Sequence, residues 1–481
     1  MSRQSEKLFD GITHISDDLV EQAQRMQKKR QRKWLKWTGP VAAVLVVAIL
    51  IGFLFGRGGS LAAYAITEAA YPSMAPYPEH EYLPGFDSRY EAWRETIDKQ
   101  RAYFEAGEGL EDFFRATITE FLSGETQGNR VYSPLNVYMA LAMLAEITDG
   151  ESRAQILALL GSDSIESLRT QANAVWNANY RDDGAVESIL ASSLWLNDDV
   201  AFNRNTIDTL AENYYASSYR GKMGSDALNQ AYRTWLNAQT GGLLKGQIDD
   251  KTFDAETLLA MVTTVYFRAK WSDTFNSSQT IKAPFYTDTV ETGNVTADFM
   301  RRTDTYGTYY WGKKFSATRS RLDESGGTMW FILPDEGVSV EDLLCDSEAL
   351  SFLLSNGQWQ NNKELKIHLT VPKFDVQSQL DLKDELYALG VTNVFDWQVS
   401  DFSPLLEEKQ PVILSRVQHG ARVAIDEEGV TATAYTEMWS NGAAMPPEDE
   451  IDFTLNRPFL FVVTGADGLP LFVGIVCQPV I

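Results

Sequence analysis

Along the main body of the chain, apolar residues recur every three or four positions early on and every second position later. The first spacing lines one face of a helix and the second one face of a strand, so the pattern alone separates the two. Residues 88–106 (SRYEAWRETIDKQRAYFEA) set Tyr90, Trp93, Ile97 and Phe104 along one side and predict a helix. Residues 110–124 (LEDFFRATITEFLSG) and 133–148 (SPLNVYMALAMLAEIT) predict two more, the second apolar almost all round and therefore buried. SILASSLWLND (188–198) predicts a strand and NRNTIDTLAENYY (203–215) an amphipathic helix. LLAMVTTVYFRAKW (258–271), TMWFILPDE (328–336) and LKIHLTVPKFDV (365–376) predict strands. QLDLKDELYALGV (379–391) predicts a helix stopped at Gly390. Strands fill the last 70 or so residues, separated by one long polar stretch. Helices early and strands late, without strict alternation, predict an α+β fold.

One apolar run has neither period. Residues 38–56 (TGPVAAVLVVAILIGFLFG) are uncharged, and 19 helical residues just span a bilayer core of roughly 30 Å. Arg25, Lys28, Lys29, Arg30, Arg32, Lys33 and Lys36 precede the run, whereas Arg57 is the only Lys or Arg between it and Arg89. The positive-inside rule makes 1–37 a cytoplasmic basic segment and 38–56 a transmembrane signal anchor, with Trp34 and Trp37 at the cytoplasmic interface and everything after residue 57 extracellular. The alternative is a cleaved signal peptide, since Ala63-Tyr64-Ala65 has the small-residue form of a cleavage site; the protein would then be secreted. The basic segment and the apolar run are both long for a signal peptide and favour the anchor. Residues 58–87 are rich in Pro, Gly, Ala and Tyr without a sustained apolar period. They read as a linker, so 57–108 is assigned as a linker with a short helix and 109–481 as the globular domain.

The net charge of −24 disfavours nucleic acid and heparin as partners. Two cysteines, Cys345 and Cys477, give no disulfide framework and read as small packed hydrophobes. Nucleophilic hydrolysis needs a base, most often histidine, and the chain has only His14, His80, His368 and His419. The first two lie in the tail and linker, and His368 alternates with apolar Ile367 and Leu369 on a strand. No nucleophile elbow, zinc-helix motif, Walker loop, dinucleotide glycine run or Cys/His cluster of metal spacing is present. The sequence therefore supports neither an enzyme nor a cofactor or metal.

Six stretches, in order, resemble the serpin family across essentially all of residues 109–481. They are NRVYSPLNVYMALAMLAEITDGE (129–151), LLAMVTTVYFRAKW (258–271) followed by Pro284-Phe285-Tyr286, WFILPDE (330–336), LSRVQHGARVAIDEEG (414–429), NRPFLF (456–461) and PLFVG (470–474). The resemblance, to a membrane-anchored member of bacterial type, implies about nine helices and three β-sheets with an exposed reactive loop. It implies inhibition of serine proteases: the target cleaves the loop and forms an acyl-enzyme, and the loop then inserts into the main sheet as a new strand. The alternative within the family is a non-inhibitory surface protein acting as chaperone, carrier or protease substrate.

Carried over residue by residue, the resemblance makes Glu427, Glu428, Gly429, Val430, Thr431, Ala432, Thr433, Ala434, Tyr435 and Thr436 the hinge of that loop. Val430 stands where the family usually has Thr or Ser, Thr431 where it has Glu, and Tyr435 where it has a small residue. Strand alternation tests these departures. If Val430 faces into the sheet, so do Ala432, Ala434 and Thr436, all small, while Thr431, Thr433 and Tyr435 face outward. The same count sets the reactive bond at Ala443–Ala444, to within one residue, and a small residue there suits an elastase-like or subtilisin-like pocket rather than a trypsin pocket. Ser133, Asn136, Thr263 and His419 match the family's sheet-opening cluster, with Thr263 in place of the usual Asn. Trp271, grouped with that cluster, matches the tryptophan where insertion begins.

Overall fold

A computed structural model of the chain describes residues 61–78, 84–123, 128–242, 248, 251–287, 293–408, 411–414, 417–430 and 447–479. The chain divides into Met1–Gly58 and a compact unit, Gly59–Ile481, described below. No helix among the described residues is long and apolar enough to cross a membrane; the expected span, 38–56, lies outside them.

The described elements run β1 (Ala65–Thr67), α1 (Phe86–Arg101), α2 (Glu111–Leu122), β2 (Arg130–Tyr132), α3 (Pro134–Glu146), α4 (Gly150–Leu160), α5 (Ile165–Asn179), β3 (Arg181–Asp182) and β4 (Val186–Asn197). Next come α6 (Arg204–Tyr214), β5 (Ala216–Gly221), α7 (Asp226–Gln239), β6 (Leu259–Lys270), β7 (Ile281–Tyr286), β8 (Asn294–Trp311), β9 (Phe315–Arg321) and β10 (Thr328–Pro334). The chain closes with α8 (Val340–Leu344), α9 (Ser347–Leu354), β11 (Asn362–Pro372), β12 (Phe374–Asp381), α10 (Lys383–Ala388), β13 (Gln418–Ile425), β14 (Gly429–Val430), β15 (Glu450–Thr454), β16 (Phe459–Thr464) and β17 (Pro470–Val476).

The main sheet has the order β1-β5-β4-β6-β14-β13-β12, with β3 on β4. Its inner face covers α3, which Ser133 caps by accepting from Asn136 N and which Pro134 begins. Twelve of its 13 residues are buried, as expected for a helix apolar all round. The amphipathic α7 covers part of the outer face, packing Leu228, Ala231, Tyr232 and Trp235 against Trp195, Tyr219 and Val262.

Three expectations change. Among the described residues there are two sheets instead of three, because the 18-residue β8 pairs β7 and β11 along its length and still reaches β9 at Tyr310 and Trp311, fusing the second and third into one. The helix expected over 379–391 shortens to α10, since Gln379–Asp381 continue β12 against β13 and hydrogen bonding there outweighs helical propensity. Cys345 is exposed beside α8 rather than packed, and Cys477 is half-buried against the core.

Residues 61–78, expected as part of a linker, form a strap along the main sheet. Ala65 and Thr67 pair with Tyr219 and Ser218, and Thr67 Oγ1 donates to Asp208 Oδ1. Tyr71 lies within 5.4 Å of both Trp176 and Tyr180, centroid to centroid, and Tyr77 N donates to Asp183 O. An extended strap presents each large side chain to a different hollow of the body, so it shows no period of its own.

Candidate functional site

The strands β6 and β13 run parallel at the centre of the main sheet, yet among the described residues they pair at one register only, His419↔Thr263. Six residues further along each, Val430 of β14 stands between them, opposite Ala269 on one side and Ile425 on the other. At about 3.3 Å per residue, this leaves a slot roughly 20 Å long between a closed register and an occupied mouth.

The mouth is held by one local turn and by hydrogen bonds from residues distant in the chain. Asp426 Oδ1 accepts from Glu428 N (2.9 Å) and Gly429 N (3.2 Å), and Asp426 N donates back to Gly429 O, turning β13 into β14. Trp271, 1% exposed, donates from its ring to Asp426 O (2.8 Å) and from its backbone to Glu428 O (2.9 Å). Glu427 accepts from Thr280 Oγ1 and pairs with Lys373 at 2.6 Å, while its carbonyl accepts from Phe275 N. Burial works to raise the Glu427 carboxyl, but these bonds outweigh it and hold the group below its usual range. Gly429 is required here, because a Cβ would lie 2.3 Å from Ala269 O. Asp426, Thr280 and Lys373 went unnoticed in the sequence, and only Asp426, adjoining the hinge, carried a local signal for its role.

At the closed end, His419 is 3% exposed and its Nε2 accepts from Ser133 N at 3.0 Å. Asn136 Nδ2 is buried without a partner among the described residues. Beneath lies an apolar cavity lined by Val137, Leu141, Met261, Leu386, Thr263 and His419. The five residues grouped as one cluster thus occupy two places: Ser133, Asn136, Thr263 and His419 at the closed register, and Trp271 at the mouth. Of the hinge, Glu427, Glu428, Gly429 and Val430 are described; Thr431, Ala432, Thr433, Ala434, Tyr435, Thr436, Ala443 and Ala444 lie outside the described residues. Val430 is 1% exposed and faces inward with Ile425 and Ala269. His368 sits far from this slot on β11, half-exposed, 3.0 Å from Thr303 Oγ1 and 3.6 Å from Glu450.

Burial pushes the His419 imidazole down to about 4. The unfolded chain then takes up a proton near pH 6.5 that the folded chain refuses until about pH 4. Stability from this group is full above pH 6.5 and is lost as pH falls toward 4, by up to about 3 kcal/mol. Asp467 works the other way: desolvation raises its buried carboxyl to about 6 despite bonds from Leu469 N and Asn179 Nδ2, so it loses stability as pH rises through the same window. Melting temperatures between pH 4 and 6.5 should therefore depend less steeply on pH in His419→Gln, and gain a steeper rise with pH in Asp467→Asn. An unchanged slope in His419→Gln would rule out the histidine as a contributor.

The main sheet is thus split at its centre, closed at His419↔Thr263 and occupied by Val430 at the mouth of the split. The family model described as "Serpin (serine protease inhibitor)" matches residues 109–479. The chain belongs to the serpin family. It is 26% identical over 364 residues to Serpin-ZX of Arabidopsis thaliana, covering 73% of this chain and 92% of that one. It is 25% identical over 359 residues to Leukocyte elastase inhibitor A of Rattus norvegicus, covering 73% and 93%. Among solved structures, native tengpin, a thermophilic serpin, matches with TM-score 0.67 at 22% identity, over 86% of this chain and all of that one. Human thyroxine-binding globulin bound to its hormone matches with TM-score 0.68 at 20% identity, over 79% and all of that chain.

Proposed function

We propose that this serpin is an inhibitor that traps elastase-like or subtilisin-like serine proteases at a cell surface. The observation carrying this reading is the seated Val430. It lies between the two strands that an inserting loop must part, and it sets the phase for the residues that follow. Continued one residue at a time, the register brings Ala432 between Phe267 and Val423, Ala434 between Val265 and Ala421, and Thr436 to the level of Thr263 and His419. Each of these three is small and would face inward once inserted. Tyr435, the bulky departure, falls on the outer face opposite Gly420, where a Cβ would meet nothing within 4 Å.

Relatives named as an elastase inhibitor and as antiproteinases support inhibition, while thyroxine-binding globulin represents serpins that carry a ligand instead. Incubation with elastase or subtilisin should yield a complex resistant to SDS and release a C-terminal peptide beginning at Ala444, to within one residue. Trypsin should be ignored by the parent and captured by Ala443→Arg, whose guanidinium can pair with the acid at the pocket base. Cleavage without any trapped complex would leave the non-inhibitory reading. We further propose that residues 38–56 remain as a membrane anchor with the body outside. A signal peptide cut after Ala65 would remove Tyr64, whose carbonyl accepts from Arg220 N on β5, the strand that β1 covers.

A further inference from the structure

The end of the main sheet away from the mouth is also where the chain enters the body. There Gly221 pairs with Asn197, the last residue of β4, Tyr64 lies over Gly221, and Arg220 N donates to Tyr64 O at 2.8 Å. From this far end the strap climbs to Asp183, one strand from the mouth. The stretch between α10 and β13 is fastened to the same far end. Asn203 N donates to Leu405 O (2.7 Å), Glu407 N to Ala201 O (3.2 Å), and Phe202 bridges to Leu406, all just beyond the end of β4.

On that stretch Trp397 is 63% exposed, the highest of any large apolar side chain among the described residues, and Val399 is 51% exposed. Tyr387, 52% exposed on α10, lies tilted against Phe395, two residues before Trp397, with ring centroids 6.3 Å apart. Large apolar side chains gathered at one end of a body are costly in water and mark a contact surface. The length of chain before the body says what covers it. Only five steps separate Gly56, where the expected span ends, from Leu61, already packed on the body, a reach of at most about 18 Å.

We propose that Trp397, Val399 and Tyr387 seat the far end of the body on the lipid headgroups of the bilayer that holds the span; this rests on the anchor reading of residues 38–56. Tryptophan and tyrosine favour the headgroup level, where the ring is apolar and its polar edge stays wet. Asp396, Asp401 and the net charge of −24 disfavour an anionic surface, so the lipid is zwitterionic. Three side chains bind weakly alone, but the short tether supplies a high effective concentration. The mouth then faces away from the membrane, toward an arriving protease. A weak seat can also release when insertion carries that protease to the same end.

The test uses the full chain in phosphatidylcholine vesicles, with Cys345→Ser and Cys477→Ser and one fluorophore on either Gln398→Cys or Gln279→Cys, the latter near the mouth. Headgroup-spin-labelled phosphatidylcholine should quench the label at 398 several-fold more than the label at 279. Adding Trp397→Ser and Val399→Ser should abolish that difference while the protein still floats with the vesicles. Flotation with equal quenching at both sites would overturn the seat and leave the anchor standing. Failure to float would overturn the anchor and the seat with it. Self-quenching at 398 without lipid quenching would assign the patch to a second copy and overturn the lipid contact.

Discussion

Cleavage between Ala443 and Ala444 is expected to raise the melting temperature by on the order of 10 °C or more. In most proteins a cut loop leaves stability unchanged or lowers it, because the unfolded chain gains freedom. Here the freed strand has somewhere to go. Residues 431–435 can pair antiparallel with 268–264 of β6 on one side and 424–420 of β13 on the other, before the single register His419↔Thr263 must open for the rest. Each hydrogen bond nets about 1 kcal/mol, so a central strand of some ten residues contributes on the order of 10 kcal/mol. With roughly 2 cal/mol/K of unfolding entropy per residue, that energy corresponds to the stated rise. Thermal melts of intact and loop-cleaved protein decide the matter. A lower or equal melt after cleavage would leave the fold standing and remove the inhibitory mechanism.

Replacing Ala434 with Arg is expected to turn the inhibitor into a substrate. The register brings residue 434 inward beside buried Ala421, where an unpaired guanidinium costs several kcal/mol. A cost of about 3 kcal/mol in the rate-limiting insertion slows it roughly a hundredfold, long enough for the acyl-enzyme to hydrolyse. The outward control is chosen by the structure. Residue 433 falls beside Arg422, which pairs with Asp375, so Thr433→Glu meets a cation where Thr433→Arg would meet a like charge. Thr433→Glu should inhibit nearly as well as the parent, measured as the number of inhibitor molecules consumed per protease trapped. Equal loss from both substitutions would defeat the alternation on which the hinge assignment rests.

Whatever depends on neighbours within a few residues was legible in the chain alone. The buried helix α3 follows from its largely apolar composition and its Ser133-Pro134 start. The order of six family-like stretches determined the family, because each is a local pattern. Tertiary structure alone decided that residues 61–78 are a strap, since Tyr71 is held by Trp176 and Tyr180, more than a hundred residues away. It alone divided the expected cluster into a closed register and a mouth, and added Thr280 and Lys373 to the latter. It alone merged two sheets through β8 and brought Trp397 to the end where Leu61 docks. Strand partners and sheet edges are set by contacts distant in the chain, whose free energy is shared among many residues and leaves no period in any one segment.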